Sequence, residues 1–229
     1  MIFFQLKILS TTKIQKMKKI LLYSMAFQLF FGITLHAQNK VITPDLSSIG
    51  NPDVWTVHNR QIIEEDVVHL NGQPGDGLLW INDLIFKNGK IEVDIKGIDQ
   101  RGLSFVGIAF HILNDSTFDA IYFRPFNFKS PERKGHSVQY ISHPKNTWYF
   151  LRENFPEKYE NPVSPVPDPT GWFHATIEVE YPEVKVFVND AKEPSLVIQQ
   201  LSNRKEGLLG FWVGNNSEGW FRNLKITSR

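Results

Sequence analysis

One predicted hairpin constrains the fold of this 229-residue chain more than any other feature. Residues 104–113 and 118–124 are rich in β-branched and aromatic side chains, and the residues between them, Asn-Asp-Ser-Thr, are typical of a turn. A four-residue loop places Leu113 opposite Phe118 and so decides which side chains share a face of the hairpin. The sequence therefore predicts an antiparallel strand pair with two chemically distinct faces.

One predicted face is bulky and apolar, and the other is small and polar. The apolar face, expected in the core together with Ile91, Val93 and Phe211, carries Val106, Ile108, Phe110, Ile121 and Phe123. The second face carries Gly107, Ala109, His111, Ala120, Tyr122 and Arg124. Glycine within a strand often marks close approach by a ligand, so we expect a groove floor where added bulk at Gly107 blocks binding without loss of stability. The alternative is an ordinary solvent-facing surface, which needs no function.

Short strands separated by turn residues continue on both sides of this hairpin. The further predicted strands span residues 54–58, 61–63, 67–70, 90–96, 137–141, 174–180, 184–189, 195–199, 208–213 and 220–227. Roughly a dozen short strands predict an all-β fold, a two-sheet antiparallel jelly-roll sandwich, over residues 38–229.

Residues 142–171 interrupt this strand pattern with six prolines and a group of aromatic residues. The stretch 148–160 is expected to hold a short helix. Long loops in compact domains often bind ligands, and the aromatic content argues against disorder. Two roles remain open for this segment, a binding loop or a rigid plug over a sheet edge.

The N-terminus has the pattern of a secretory signal peptide. Lys16, Lys18 and Lys19 precede an apolar run over residues 20–35, which ends in Leu-His-Ala. We expect cleavage after Ala37, so that residues 1–37 are removed, and Met17 is an alternative start. A membrane anchor is the competing interpretation, but the run is short for a span of about 20 residues. The protein is thus expected to be exported, periplasmic or extracellular, without a membrane span after cleavage.

Composition excludes several classes of site. The chain contains no cysteine, which excludes disulfides, thiolate metal sites and cysteine nucleophiles. Without residues 1–37 the chain keeps 20 basic and 24 acidic residues, a net charge of −4, and no basic run. Nucleic acid is therefore not an expected partner, whereas the oligomeric state stays open.

Several motifs, taken in order, resemble one large family. They are GDGLLW at 75–80, GKIEVDI at 89–95, GLLGFWVG at 207–214 and FRNLKI at 221–226. Their order resembles the concanavalin A-like lectin/glucanase superfamily, and within it the 3-keto-disaccharide hydrolase-like domains of secreted bacterial proteins. The resemblance implies a two-sheet jelly roll whose concave sheet handles glycans.

Retaining glucanases of this superfamily use a strand with the pattern Glu-x-Asp-x-Glu, which places three carboxylates on one face. This chain offers Glu92, Asp94 and Lys96 at those positions, so the last carboxylate is missing and the glucanase mechanism is not expected. His111 with Glu92 or Asp94 remains a candidate base and acid. No serine elbow of the form G-x-S-x-G occurs.

The candidate substrate-binding residues are Tyr122, Arg124, Gln139, His143 and Trp148. Arginine and tyrosine offer donors for sugar hydroxyls or for the carboxylate of an acidic sugar, and tryptophan offers a stacking surface. No cofactor is expected, although Ca²⁺ stays open because oxygen ligands cluster near turns at Asp76, Asp115, Asp119, Asn189 and Asp190. We expect an exported protein that binds, and in one version hydrolyses, a glycan or keto-sugar. A non-catalytic carbohydrate-binding or adhesion domain is the alternative.

Overall fold

Fourteen strands and four short helices build the part of the chain that the computed structural model describes, residues 39–63 and 67–229. The predicted signal peptide lies outside these residues. The strands are β1 (Lys40–Ile42), β2 (Trp55–His58), β3 (Val68–Leu70), β4 (Gly77–Ile81), β5 (Gly89–Lys96), β6 (Val106–Asn114), β7 (Thr117–Phe123), β8 (Val138–Ser142), β9 (Glu160–Asn161), β10 (Phe173–Glu180), β11 (Glu183–Val188), β12 (Leu196–Gln199), β13 (Leu208–Val213) and β14 (Gly219–Ser228). The helices are α1 (Trp148–Asn154) and three 3-10 turns, Leu46–Ser48, Pro125–Asn127 and Lys134–His136.

The strands form two seven-stranded antiparallel sheets. The first sheet has the order β1-β14-β5-β10-β11-β12, and β3 also pairs with β14. The second sheet has the order β2-β4-β13-β6-β7-β8-β9. The predicted two-sheet sandwich is confirmed. Residues 61–63, expected to form a strand, contribute only an isolated bridge from Ile62 to Leu70.

The central hairpin, β6 with β7, has the predicted turn but a shifted register. Asn114 pairs with Thr117 at the turn, whereas Val106 pairs with Phe123 and Ile108 with Ile121 beyond a β-bulge. The bulge moves the pairing by two residues, and a shift of two keeps every side chain on its face. The separation into an apolar and a small-polar face therefore survives up to Phe110.

The core lies between the inner faces of the two sheets. All eight residues predicted to be buried are fully inaccessible: Ile91, Val93, Val106, Ile108, Phe110, Ile121, Phe123 and Phe211. Aromatic pairs join strands of opposite sheets, with ring centroids 4.7 Å apart for Phe211 and Phe221 and 5.0 Å apart for Phe123 and Phe173. This apolar layer is the main source of the stability of the domain.

The helix α1 lies in the proline-rich segment, within the predicted stretch. Its N-cap Thr147 accepts a hydrogen bond from the backbone N–H of Phe150, at 3.3 Å. Leu151 is buried, and the Trp148 carbonyl accepts from Gln139 Nε2 on β8 at 3.4 Å. The segment thereby places α1 against β8 of the second sheet. No helix in the described ranges is long and apolar enough to cross a membrane.

Candidate functional site

The outer face of the second sheet carries two rows of residues that pair from strand to strand. One row contains Leu78, Trp212, Gly107, Tyr122, Gln139 and Glu160. The next contains Trp80, Gly210, Ala109, Ala120 and Ile141. Directly paired residues share a face, so this surface combines large aromatic side chains with small ones. It is the groove face that the hairpin predicted.

A pocket of about 200 Å³ opens on this face, and we call it the Asp76 pocket. Tyr122, Ile141 and Trp212 of the sheet line it together with Asp76, His143 and residues of the flanking segments. Phe105 and Trp148 contribute aromatic walls. Pockets of this kind, mostly apolar with a few polar groups, are typical of small-molecule sites.

The pocket contains a carboxylate–imidazole pair. Asp76 precedes β4, His143 follows β8, and their nearest side-chain atoms, Oδ2 and Nδ1, are 3.5 Å apart. Burial raises the pKa of Asp76 above its ordinary value, although the charges of His143 and Arg60 oppose this shift. Burial also lowers the pKa of His143, against the effect of Asp76. His143 is therefore neutral at neutral pH and able to accept a proton.

Arg60 links the loop before β4, which carries Asp76, to the loop after β13. Its Nη2 donates to the carbonyl of Gly75 at 2.8 Å and to that of Gly214 at 2.9 Å. The Arg60 side chain is buried and does not itself line the pocket, but its two hydrogen bonds stabilise the loops at the rim. Arg60 thus fixes the position of Asp76.

Trp212 offers a hydrogen-bond donor without an acceptor. The residue is only 4% exposed, and its Nε1 has no hydrogen-bond partner within the described part of the chain. The indole N–H lies near Asp76 and opposes the rise that burial causes in the pKa of that carboxyl, but the two groups do not complete a regular hydrogen bond. A buried donor left without a partner is costly, and a ligand oxygen in the pocket would satisfy it.

Tyr122, Arg124 and Gln139 form a buried polar cluster under the same surface. The Tyr122 hydroxyl donates to Gln139 Oε1 at 2.8 Å, and Arg124 Nη2 contacts both of these oxygens. Burial raises the pKa of Tyr122 to about 12, so its phenol stays protonated. Arg124 Nη1 also donates to the His136 carbonyl, at 2.9 Å. The cluster leaves the Tyr122 ring, not its hydroxyl, to face a ligand.

A second pocket of about 170 Å³, the arginine pocket, adjoins the first. Phe105 and Trp148 line both pockets. The charged lining residues are Arg101, Arg124, Arg133 and Arg152, and His136 and Asn127 complete the polar lining. Together the two pockets form one groove along the outer face of the second sheet.

Four of the five predicted substrate-binding residues line this groove. Tyr122 and His143 belong to the Asp76 pocket, Arg124 to the arginine pocket, and Trp148 to both. Gln139 is fully buried beneath them. Its position supports Tyr122 and Arg124, because it accepts hydrogen bonds from both.

His111, predicted in the groove, is buried elsewhere. The residue lies in the bulge of β6 with a φ of 49°, which turns its side chain away from the groove face. Its Nε2 is 2.8 Å from the Lys87 carbonyl, and its Nδ1 is 3.2 Å from Gln200 Nε2. Burial lowers its pKa. His111 is a neutral, hydrogen-bonded histidine without contact to the groove, and the prediction that it lies there is wrong.

Glu92 and Asp94 lie on the outer face of the first sheet, in β5. Glu92 contacts Lys90 at 3.1 Å and Lys225 at 3.2 Å, so its carboxylate is part of a surface ion-pair network. The predicted acid–base pairing of His111 with either carboxylate does not form, because the residues belong to different sheets. Period-two alternation predicted the shared face of Glu92 and Asp94 but not which surface of the sandwich it covers.

Gly107 is required by the neighbouring strand. A Cβ at this position would lie 2.1 Å from the Ile121 carbonyl oxygen and 2.6 Å from the Tyr122 Cα. The expectation that bulk here leaves stability intact is wrong, because the added atoms would collide with β7 backbone. The small residue is explained by close strand packing.

The turn residues proposed for calcium do not converge. Within residues 39–63 and 67–229, no group of three or more His, Cys, Asp or Glu side chains is arranged to hold a metal ion. Asp119 instead accepts hydrogen bonds from Tyr140 at 2.5 Å and Ser202 at 2.7 Å, and contacts Arg204 at 2.9 Å. Its carboxylate anchors the loop after β12.

Sequence reasoning did not identify Trp212, Phe105 or the role of Asp76 in the pocket. Strand β13, which carries Trp212, is buried on both faces, so it shows no alternation that would mark a ligand-facing side chain. The pairing of β13 with β6, which brings Trp212 beside Gly107, joins segments about 100 residues apart. Only the sheet order reveals this neighbourhood.

Known structures share the fold at low sequence identity. The carbohydrate-binding module CBM66 from Bacillus subtilis aligns with a TM-score of 0.56 and 16% identity over 77% of this chain and 97% of its own. A Bacillus subtilis protein of unknown function with a galectin-like fold gives 0.56 and 14%, over 83% and 98%. The mannose- and Ca²⁺-bound exoplasmic/lumenal domain of VIP36 gives 0.58 and 9%, over 83% and 91%. These similarities establish a lectin-like jelly roll.

No curated protein matches the chain significantly. A family model, in contrast, matches residues 47–227, nearly the whole of the sandwich. With that match, the chain belongs to the family of 3-keto-alpha-glucoside-1,2-lyase-like domains.

Proposed function

We propose that this domain binds a 3-keto-glycoside in the Asp76 pocket and eliminates the substituent at C1 of the keto-sugar. Membership of the lyase-like family supports the class of substrate and reaction. The observation that carries the proposal is the half-buried Asp76–His143 pair, with 3.5 Å between Oδ2 and Nδ1, in a pocket with aromatic walls. A neutral imidazole oriented by a carboxylate is suited to general base catalysis.

Binding uses the apolar walls and the free indole donor. The C–H faces of the sugar pack against Trp148 and Phe105, while the ring of Tyr122 forms the floor. The N–H of Trp212 donates to a sugar oxygen, which satisfies a group that is otherwise without an acceptor in the described chain. Trp148 is 47% exposed and so can contact a ligand that enters from solvent.

The chemistry follows from the ketone. The hydrogen at C2 of a 3-keto-glycoside is acidic, because the electrons of the C2–H bond can move onto the C3 oxygen. His143 takes this proton, and collapse of the enolate forms the C1–C2 double bond and breaks the bond from C1 to the glycosidic oxygen. The imidazolium then returns the proton to the departing oxygen, so that the histidine is regenerated. Asp76 stabilises the imidazolium during the step.

A second candidate function is carbohydrate binding without catalysis. The similarity in fold to the carbohydrate-binding module CBM66 favours it, since that module has the same architecture over 97% of its length. In this version the groove residues keep their binding roles, whereas His143 transfers no proton. The two candidates therefore differ in turnover alone.

A single incubation separates the candidates. The purified protein is mixed with a 3-keto-disaccharide, and NMR follows release of the C1 substituent and appearance of the unsaturated keto-sugar. We expect both products with the wild type and neither with His143→Gln. Saturable binding without product would support the binding-only function, and absence of both would contradict the proposal.

We also propose that the protein is exported. The support is the cluster of lysines followed by the apolar run and Ala37 in residues 1–37. N-terminal sequencing of the protein recovered outside the cytoplasm should begin after Ala37. Recovery of the exported protein with residues 1–37 attached would contradict cleavage.

A further inference from the structure

We infer that the glycan bound in the groove carries an anionic group, a carboxylate or a sulfate ester, and that the arginine pocket binds it. The inference rests on the proposed function, because it assigns the second part of the same groove. The observation behind it is the excess of guanidinium groups over carboxylates in the pocket lining.

One of the four arginines is neutralised within the protein. Arg152 forms a bidentate pair with Glu160, Nε to Oε1 at 2.9 Å and Nη2 to Oε2 at 2.6 Å. Burial alone would raise the pKa of Glu160, but the hydrogen bonds and charge of Arg152, with the charges of His136 and Arg124, outweigh it and lower the pKa. Glu160 is therefore ionised and offsets one positive charge.

Arg124 shares that same carboxylate at a longer distance, 3.6 Å from Nη1 to Oε2, and is almost fully buried. Its guanidinium is occupied by Tyr122, Gln139 and the His136 carbonyl. Arg124 thus contributes charge to the pocket while its donors hold the groove floor. One carboxylate cannot neutralise two guanidinium groups, so a positive charge remains.

The other two arginines add to this excess. Arg133 donates to the Asn127 side-chain oxygen at 3.3 Å, and its nearest carboxylate, the highly exposed Glu132, is 4.0 Å away. Arg101 is exposed, and within the described ranges no carboxylate lies within ion-pair distance of it. Exposed pairs at such distances contribute little, so both guanidinium groups remain available to a ligand.

The excess is local and opposes the net charge of the protein. Without residues 1–37 the chain carries a net charge of −4, which would repel an acidic ligand. Guanidinium groups bind carboxylate and sulfate oxygens with paired hydrogen bonds. Phe105 and Trp148 line both pockets, so a ligand that places one sugar beside His143 brings its neighbouring unit beside the arginines.

The test compares ligands of the same shape that differ in charge. Calorimetry measures the affinities of three 3-keto-disaccharides that differ only in the second sugar. That sugar is glucuronic acid in the first ligand, its uncharged methyl ester in the second, and glucose 6-O-sulfate in the third. We expect at least one charged ligand to bind about tenfold tighter than the ester, with a preference that declines as salt is added. The tighter of the two charged ligands identifies the anionic group.

Two variants place the preference in the arginine pocket. Arg101→Gln and Arg133→Gln change exposed or half-exposed side chains, so the fold should persist, and each should reduce the preference several-fold. Lys192→Gln, which removes one exposed charge that does not line either pocket, should leave the preference unchanged. Equal affinity for ester and charged ligands, or a preference insensitive to both arginine variants, would overturn the inference and leave the proposed function standing. Failure of every ligand to bind would overturn both.

Discussion

The outer faces of the two sheets each carry an aspartate beside a histidine, and the two pairs are similarly exposed but differ in the partners that surround the carboxylate. On the first sheet, Asp94 Oδ1 lies 2.8 Å from His174 Nδ1. On the second sheet, Asp76 and His143 are 3.5 Å apart. By distance alone, Asp94 and His174 form the stronger hydrogen bond.

The surroundings reverse that ranking. Asp94 also accepts from Asn223 at 2.7 Å and Arg222 at 3.3 Å. Burial alone would raise its pKa, but these hydrogen bonds, with that of His174, outweigh it and lower the pKa. Asp76 has a single ionic neighbour within 4 Å among the described residues, and burial raises its pKa. A carboxylate saturated by partners is structural, whereas one held in a pocket with few partners is poised to react.

Removing the charge of each aspartate in turn tests whether the two Asp–His pairs differ in function. Asp76→Asn should lower kcat/KM for a 3-keto-disaccharide roughly 100-fold or more, since the imidazolium that forms on His143 loses its counter-charge. Asp94→Asn should leave kcat/KM unchanged. Steady-state kinetics on both variants, with circular dichroism to confirm folding, provides the measurement. Equal losses would show that the pocket pair is not special.

Gly107 tests whether the groove floor is set by strand packing. Gly107→Ala should destabilise the protein by about 1–3 kcal/mol, because the new methyl group must displace the backbone of β7. Gly135→Ala is the matched control, since a Cβ there meets no atom within 4 Å. Urea unfolding of both variants gives the comparison. A Gly107→Ala protein as stable as the control would restore the ligand-based explanation for the glycine.

The pH dependence of turnover sharpens the role of His143. Burial lowers its pKa below the ordinary value of 6.5, against Asp76 and together with the charge of Arg204. The base must be unprotonated, so kcat/KM should be constant around neutrality and fall about tenfold per pH unit below the lowered pKa. A rate that instead rises as the pH falls would contradict a basic role for His143.

The smallest effect is expected on the first sheet. Lys225→Gln removes one partner of Glu92, which keeps Lys90 at 3.1 Å. Exposed ion pairs contribute little, so the change in the free energy of unfolding should be below about 1 kcal/mol, with no change in activity. Thermal unfolding at low and at high salt measures the size of this change in stability and how far salt screens it. A larger loss would mean that this face is more than a solvated surface.

The sequence was sufficient for the fold because the alternating pattern is local. The apolar face of β6 and β7 was predicted correctly from period-two spacing, and so was the turn at Asn114 to Thr117. The bulge at His111 could not be foreseen. A positive φ at a histidine depends on packing against Gly207 and the neighbouring strands, and no residue type in the sequence signals it.

The candidate site was only half predictable for a related reason. Tyr122, His143 and Trp148 lie close together along the chain, so hairpin geometry and loop composition identified them as candidate site residues. Asp76 and Trp212 reach the same pocket through strands β4 and β13, which join the sheet from distant parts of the chain. For Glu92 and Asp94 the local pattern was predicted correctly, but the assignment to the site was not. Their alternation was real, but it belongs to the surface of the other sheet.

The most direct measurement of the central claim is an NMR titration of the tryptophan indole N–H signals. The protein has six tryptophans, and single Trp→Phe variants assign their peaks. On addition of a 3-keto-disaccharide, the indole signals of Trp212 and Trp148 should move together and saturate. Those of Trp220, stacked on His69, and Trp172, under Arg222, should stay in place. Movement of the latter two with Trp212 unchanged would place the ligand on the first sheet and contradict the account.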